Sequence, residues 1–271
     1  MTNGVLAVVA CPMLEDELIH SLAGDGEPKR IIVVDTPYNS SLVRKMGASG
    51  IAFETMDEWT FLNGGSLRDG GFTIVIVMNS LGLHAEPKDL RSHVQDQLFM
   101  MQGRVDAAAV YYGMCGNYGW DISGWAESNL SYPACVFRDC KGRVCDDCIG
   151  VAVGGLDGYR RLIKAYTGVM LFTPAVATNW VDFLSASDMM RGSLRGKDPQ
   201  AEIKEILEMC GYRSVVQIDT GLEPREPFDR CTRDFADYMG FEILQAPDDF
   251  ADIGPADALY SEAKRLLGEK S

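Results

Sequence analysis

The sequence predicts an α/β fold: a Rossmann-like, mainly parallel sheet with helices on both faces. Continuous apolar runs rich in Val and Ile, such as residues 5–9 and 72–78, are typical of strands buried on both faces of a sheet. Helical segments separate these runs, and that alternation is the pattern of a parallel sheet. The predicted strands could form one sheet or two facing lobes, and the alternation does not decide between them.

Strands are predicted where short apolar runs end at turn residues. In chain order they cover residues 5–9, 30–35, 72–78, 107–112, 134–137, 168–172, 214–219 and 241–245. Residues 51–71 are ambiguous, with a turn at Asn63-Gly64-Gly65.

Helices are predicted from apolar residues at helical spacing and from start signals. They cover residues 13–22, 40–46, 88–101, 148–153 with 157–166, 201–209, 227–239 and 257–267, and Thr173-Pro174 opens another. Pro12 suits the first turn of the first helix, where the acids of residues 15–17 favour the helix dipole. Residues 186–198 are polar and contain glycine, which indicates a hinge or surface loop.

The length of 271 residues is enough for a large core or for two lobes. We expect a Rossmann-like region over residues 1–185 that carries the functional site, with a C-terminal α/β portion over residues 186–271 packed on it. A single domain built from both is the alternative.

Charge and hydropathy exclude several classes of partner. The formal net charge is −14, with no basic stripe to offset it, so nucleic acid is not an expected partner. No apolar run approaches the about 18 residues that span a bilayer. The first residues also lack the basic region of a signal peptide, so we expect a cytoplasmic protein without membrane contact.

Cysteine is the residue type that points to chemistry in this chain. Eight cysteines without a secretion signal indicate reduced thiols rather than disulfides. Five of them fall within residues 106–155, and reduced clusters bind metal or carry out redox chemistry. The eight cysteines and 13 methionines are easily oxidised in air, which suits an anaerobic host.

Three polar or thiol side chains follow predicted strands, where α/β proteins bind their ligands. Cys11 follows the first strand and precedes a helix start, a position that favours the thiolate. His84 lies beyond the third predicted strand. Cys115 follows the fourth, and Gly113 and Gly116 beside it let the backbone pass close to a bound group.

Cys145-Asp146-Asp147-Cys148 is a C-x2-C motif, which suits a metal or a redox pair. With Cys135 and Cys140 the spacing becomes C-x4-C-x4-C-x2-C, which differs from the paired C-x2-C motifs of a zinc ribbon. Whether Cys145, Cys135 or Cys140 joins a site is left open, because each also suits a strand or loop position.

Several of these segments resemble the motifs of one family. In chain order they are Ala10-Cys11 with Asp16-Glu17-Leu18, Gly82-Leu83-His84 with Pro87, Tyr112-Gly113-Met114-Cys115-Gly116-Asn117, Asp147-Cys148-Ile149, Thr173-Pro174 and Ile218-Asp219-Thr220-Gly221. Together they resemble the hallmarks of a widespread prokaryotic family catalogued as domain of unknown function number sixteen thirty-eight, over nearly the whole chain. One departure is Asp146, where that family usually has His. The role of that His is therefore altered here, or taken by Cys145 or Asp146.

The resemblance implies no established reaction. Members often occur in methanogens and acetogens near corrinoid-dependent methyltransferase systems. That association implies anaerobic one-carbon metabolism, with a corrinoid protein or a methyltransferase as partner.

The resemblance picks out three thiols, Cys11, Cys115 and Cys148, and each lies at a predicted strand end or helix start. Three thiolates around one open coordination position would hold zinc or an iron–sulfur cluster. The iron–sulfur alternative is slightly favoured because every leading candidate is a cysteine. The competing interpretation is that the thiols pack as small hydrophobic groups.

Other candidates surround these thiols. His84 suits a fourth ligand or a general acid/base, or else a loop residue that caps backbone groups. Tyr112 and Asn117 flank Cys115 and suit substrate contact or turn support, while Asp147 suits orientation of a neighbour. Residues 219–221 form another strand-end loop suited to polar contacts with a substrate.

Absent motifs narrow the function. The chain has no G-x-G-x-x-G after the first strand and no G-x-x-x-x-G-K-[ST], so neither NAD nor ATP is an expected cofactor. Three hypotheses remain. The first is a metal protein that binds a small-molecule substrate and acts in methyl transfer. The second is a metal or cluster carrier for a methyltransferase system, and the third is a metal-free small-molecule binder.

Overall fold

A computed structural model of the chain describes residues 2–85, 87–114, 120–186 and 199–268. Its larger sheet has six strands, all parallel, in the order β3-β2-β4-β1-β5-β6. The strands are β1 (Gly4–Ala10), β2 (Arg30–Asp35), β3 (Glu54–Asp57), β4 (Phe72–Met78), β5 (Ala107–Tyr111) and β6 (Ala134–Val136). The predicted Rossmann-like α/β class is confirmed.

A second parallel sheet of three strands has the order β7-β8-β9. Its strands are β7 (Val169–Phe172), β8 (Ser214–Gln217) and β9 (Glu242–Gln245). We call each sheet with its surrounding helices a lobe. The second sheet begins at Val169, within the predicted first region. The division into two regions remains a prediction.

Helices connect the strands of both sheets. They are α1 (Glu15–Gly24), α2 (Ser40–Ala48), α3 (Glu58–Leu62), α4 (Pro87–Met100), α5 (Ile122–Asn129), α6 (Cys148–Ala152), α7 (Leu156–Ala165), α8 (Pro174–Thr178), α9 (Trp180–Ala186), α10 (Pro199–Met209), α11 (Arg225–Met239) and α12 (Gly254–Gly268). Short 3-10 segments cover Pro12–Leu14, Leu81–Ala85 and Asp248–Phe250.

Alternation along β1 shows why helices cover both faces. Leu6 and Val8 pack in one core with Leu18 of α1. Val5 and Val9 point to the other face and join the core that includes α4 and α5. Because both faces of β1 are apolar, a polar or thiol group that needs a defined position beside this strand lies beyond its end.

The sequence missed the edge strand β3 and the short helices α3 and α5. Residues 54–57 are mostly exposed and polar, so no apolar run marks them. The first predicted helix begins instead as a 3-10 turn at Pro12–Leu14, and α1 proper starts at Glu15. The hinge or surface loop expected at residues 186–198 lies almost wholly outside the described residues.

The strand ends of the two lobes face each other. Helix α8, which follows β7, packs on the 3-10 turn after β1, and α9 packs on the 3-10 segment after β4. Val9 and Phe172, from different sheets, belong to one continuous core. Helix α12 then returns from the second lobe to pack on β1, β5 and β6.

Phe235 lies at the centre of the second lobe, with ring centroids of Phe172, Trp180 and Phe241 at 4.6, 5.7 and 5.9 Å. We expect Phe235→Ala to lower the free energy of unfolding by about 3–5 kcal/mol, because it leaves a cavity in a closely packed core. The matched change Phe183→Ala, at a ring that is 40% exposed, should lower it by less than about 1 kcal/mol. Urea unfolding measures both, and equal losses would contradict this assignment of the core.

Candidate functional site

Cys11 lies at the carboxyl end of β1, between two neighbouring strands. It precedes the 3-10 turn Pro12–Leu14, and its N–H donates to the carbonyl oxygen of Tyr111, at 3.3 Å. The side chain is 2% exposed. The loop that begins at Cys11 is therefore tied to the end of β5.

Gly113 and Met114 lead from β5 toward Cys115. The N–H of Met114 donates to the carbonyl oxygen of Cys145, at 2.9 Å. A Cβ on Gly113 would lie 2.7 Å from Cα of Asp147, so only glycine fits this contact. Cys115, Gly116 and Asn117 lie outside the described residues, but the chain that enters them runs between the loops of Cys11 and Cys148.

Cys148 is the first residue of α6 and is half-buried. Asp147 caps that helix: Oδ1 accepts from the N–H of Gly150 at 2.7 Å, and Oδ2 accepts from the hydroxyl of Tyr159 at 3.2 Å. Burial raises the pKa of Asp147, against the opposing effect of these hydrogen bonds. Asp147 thus holds the helix start that carries Cys148.

The neighbouring cysteines have different surroundings. Cys145 is buried in the core beneath α1 and α12, whereas Cys11 belongs to the core on the other face. Burial raises the pKa of the Cys145 and Cys135 thiols to about 12. Cys140 is exposed. These positions suit packed or surface thiols, and the inclusion of Cys145 in the site remains a prediction.

Two further candidates lie along the same edge. His84 belongs to the 3-10 segment Leu81–Ala85 after β4, and its side chain is outside the described residues. Tyr112 is 3% exposed and packs in the core with Trp120. Its role toward a substrate remains a prediction.

Across residues 2–85, 87–114, 120–186 and 199–268, no group of three or more His, Cys, Asp or Glu side chains is arranged to hold a metal ion. Cys115 is outside these ranges. A centre built on Cys11 and Cys148 would therefore depend on it. Cys210, just after α10, is exposed.

A buried charge cluster at the start of α1 was missed by sequence reasoning. Nζ of Lys45 lies 2.9 Å from Oε1 of Glu15 and also contacts Asp16. Its third partner is Glu223 of the second lobe, 3.2 Å away. The sequence assigned the acids to the helix dipole, since nothing local links them to a lysine 29 residues away. The one available signal was Asp16-Glu17-Leu18 among the family motifs.

Burial dominates the electrostatics of this cluster. It raises the pKa of Asp16 to about 7, against the attraction of Lys45, and that of Glu17 to about 8. Burial alone would lower the pKa of Lys45, but Asp16 and Glu15 outweigh it and raise that pKa above its usual value. Lys45 therefore stays charged, while the two carboxyls take up protons near neutrality.

The structure defines an α/β protein with two parallel sheets, in which Cys11 follows the end of β1 and Cys148 begins a neighbouring helix. The chain belongs to the family described as protein of unknown function (DUF1638), whose model matches residues 78–254. The match includes Cys115 and Cys148 and begins after Cys11. No curated protein matches the chain, and no solved structure matches it. None of the described helices combines the length and apolar character needed to cross a membrane.

Gly113→Ala tests the contact between the β5 loop and the Asp147 loop. We expect it to lower the free energy of unfolding by about 1–3 kcal/mol, because the new methyl group would overlap backbone atoms. Gly47→Ala is the matched control, since a Cβ there meets no atom within 4 Å and the residue is helical. It should be neutral or slightly stabilising. Urea unfolding decides, and an unchanged Gly113→Ala protein would contradict the contact.

The raised carboxyl pKa values predict how stability depends on pH. At pH values between the unfolded and folded pKa values of Asp16 and Glu17, the folded protein binds more protons than the unfolded chain. The stabilisation that these two carboxyls provide is therefore complete at low pH and is lost as pH rises to about 8. Asp16→Asn should flatten the decline of unfolding free energy between pH 5.5 and 7 by up to about 1.4 kcal/mol per pH unit. The exposed Glu226→Gln should leave the profile unchanged. Parallel profiles for wild type and Asp16→Asn, measured by urea unfolding at each pH, would contradict the assignment.

Proposed function

We propose that Cys11, Cys115 and Cys148 hold a metal centre, either zinc or an iron–sulfur cluster, with one coordination position left for a small-molecule substrate. The observation that carries the proposal is the pair of backbone hydrogen bonds from Cys11 to Tyr111 and from Met114 to Cys145. These bonds tie the chain that enters Cys115 to the loops bearing the other two thiols.

The donor set suits a soft metal. Thiolates prefer zinc and iron–sulfur clusters over hard cations, and an open position gives such a centre Lewis-acid or substrate-binding chemistry. The reaction that we assign is methyl transfer in anaerobic one-carbon metabolism, with a corrinoid protein or a methyltransferase as partner. This assignment depends on the association that the family resemblance implies. A metal or cluster carrier for the same system would use the same centre.

A metal-free small-molecule binder is the second candidate. It is favoured by the burial of Cys145 and Cys135 in the core. In that case Cys11 and Cys148 are packed thiols, and replacing either one leaves the binding of the small molecule unchanged.

Metal analysis of protein purified anaerobically without chelator tests the proposal. We expect near-stoichiometric zinc without colour, or about four irons with matching sulfide and a brown chromophore. Cys11→Ser and Cys148→Ser should each lower the bound metal at least about tenfold. Cys210→Ser, at an exposed thiol, is the control and should retain it.

Folded wild-type protein without zinc or iron would reject the metal centre and leave the metal-free binder. If metal is present, incubation with an apo acceptor protein separates the remaining hypotheses. A carrier releases its metal, whereas an enzyme keeps it.

A further inference from the structure

The segment of residues 218–224, which connects β8 to α11, is fastened at two places. At its base, Oδ1 of Asp219 accepts from the N–H of Gly221 at 2.9 Å, and Oδ2 pairs with Nη1 of Arg225 at 2.8 Å. Both contacts stay within the second lobe. Near its other end, Glu223 reaches Lys45 of α2 and so joins the first lobe.

The contact between Glu223 and Lys45 belongs to the buried charge cluster. The side chains of Glu15, Asp16 and Lys45 are 4% exposed or less, whereas that of Glu223 is 17% exposed. Oε2 of Glu15 and Oδ2 of Asp16 have no hydrogen-bond partner among the described residues. One lysine therefore faces more carboxylate oxygens than it can satisfy, and a proton is the available means of removing the excess charge.

The titratable and polar side chains around Asp16 come from α1, α2 and the segment of residues 218–224. Helix α2 contributes Lys45 and Ser41, whose hydroxyl donates to Glu15 at 2.7 Å. Helix α1 itself contributes Glu15 and Glu17, and the connecting segment contributes Glu223. Helix α8 has no titratable residue. On α12, Asp257 pairs with His20 near the other end of α1.

Ionisation of Asp16 weakens the net attraction between Glu223 and the cluster around Lys45. With Asp16 neutral, the charge of Lys45 is shared by Glu15 and Glu223. With Asp16 ionised, three carboxylates compete for one lysine, and the added negative charge repels Glu223. Glu223 is the most exposed member, so it regains hydration most readily by leaving.

We infer that residues 218–224 form a proton-controlled strap, closed on Lys45 while Asp16 is neutral and released when Asp16 ionises. Through Glu223 and Lys45 the strap is joined to the start of α1, a few residues after Cys11, so its release separates the strap from this part of the first lobe. The inference goes beyond the proposed function and requires no metal. Its failure would therefore leave the thiolate proposal untouched, and the reverse also holds.

Hydrogen–deuterium exchange, corrected for the intrinsic pH dependence of amide exchange, tests the strap at pH 6.0 and pH 8.5. In the wild type we expect peptides covering residues 218–224 to exchange about tenfold faster at the higher pH. Asp16→Asn, which keeps this position neutral, should lose most of the rise at pH 8.5, and ionisation of Glu17 accounts for the rest. Glu223→Gln lacks the charged contact and should exchange rapidly at both.

Glu226→Gln is the matched control, three residues along the chain at an exposed side chain, and should behave as the wild type. Far-UV circular dichroism checks that each variant is folded. A strap with the same corrected exchange at both pH values in the wild type would overturn the inference. So would a Glu223→Gln protein as protected as the wild type at pH 6.0, which decides the question even if Asp16→Asn does not fold.

Discussion

The structure depends on one constraint: the central strands of the larger sheet are buried on both faces. Alternate residues of β1 pack against different cores, so its side chains leave no polar face along the strand. Polar, ionisable and thiol groups that need a defined position are then concentrated where strands end. Cys11, Asn79 and Gly113 each follow a strand of this sheet, and each is held there by contacts to a neighbouring loop or strand.

The same constraint separates the cysteines by face. Cys135 and Cys145 turn toward the core under α1 and α12, where burial keeps their thiols protonated. Cys11 lies with the opposite core, and Cys148 opens a short helix at the boundary between the two. Spacing in the sequence groups Cys135, Cys145 and Cys148 in one motif, but the structure buries the first two in one core and places Cys148 at a helix start.

The charge cluster is the second consequence of the two-lobe arrangement. Helix α8 of the other lobe packs on the beginning of α1, and Glu223 reaches Lys45 beside it. The three consecutive acids at this helix start, which would be hydrated on an open helix, are buried. Lys45 compensates for part of that charge. The rest appears as raised carboxyl pKa values, and proton binding at this point is therefore coupled to the packing of the two lobes.

Apolar runs and turn residues are local signals, and they predicted the α/β class and eight of the nine strands in the described part of the chain. They also predicted that Cys11, His84 and Cys115 follow strands. The sequence missed β3, whose exposed edge position needs no apolar residues, and it could not tell one sheet from two. The fold settled what these signals could not: in the described residues the strands form two sheets, Cys145 and Cys11 lie in opposite cores, and Lys45 meets Glu15, Asp16 and Glu223. These are contacts between distant segments, and no local pattern of residues specifies which buried groups will become neighbours.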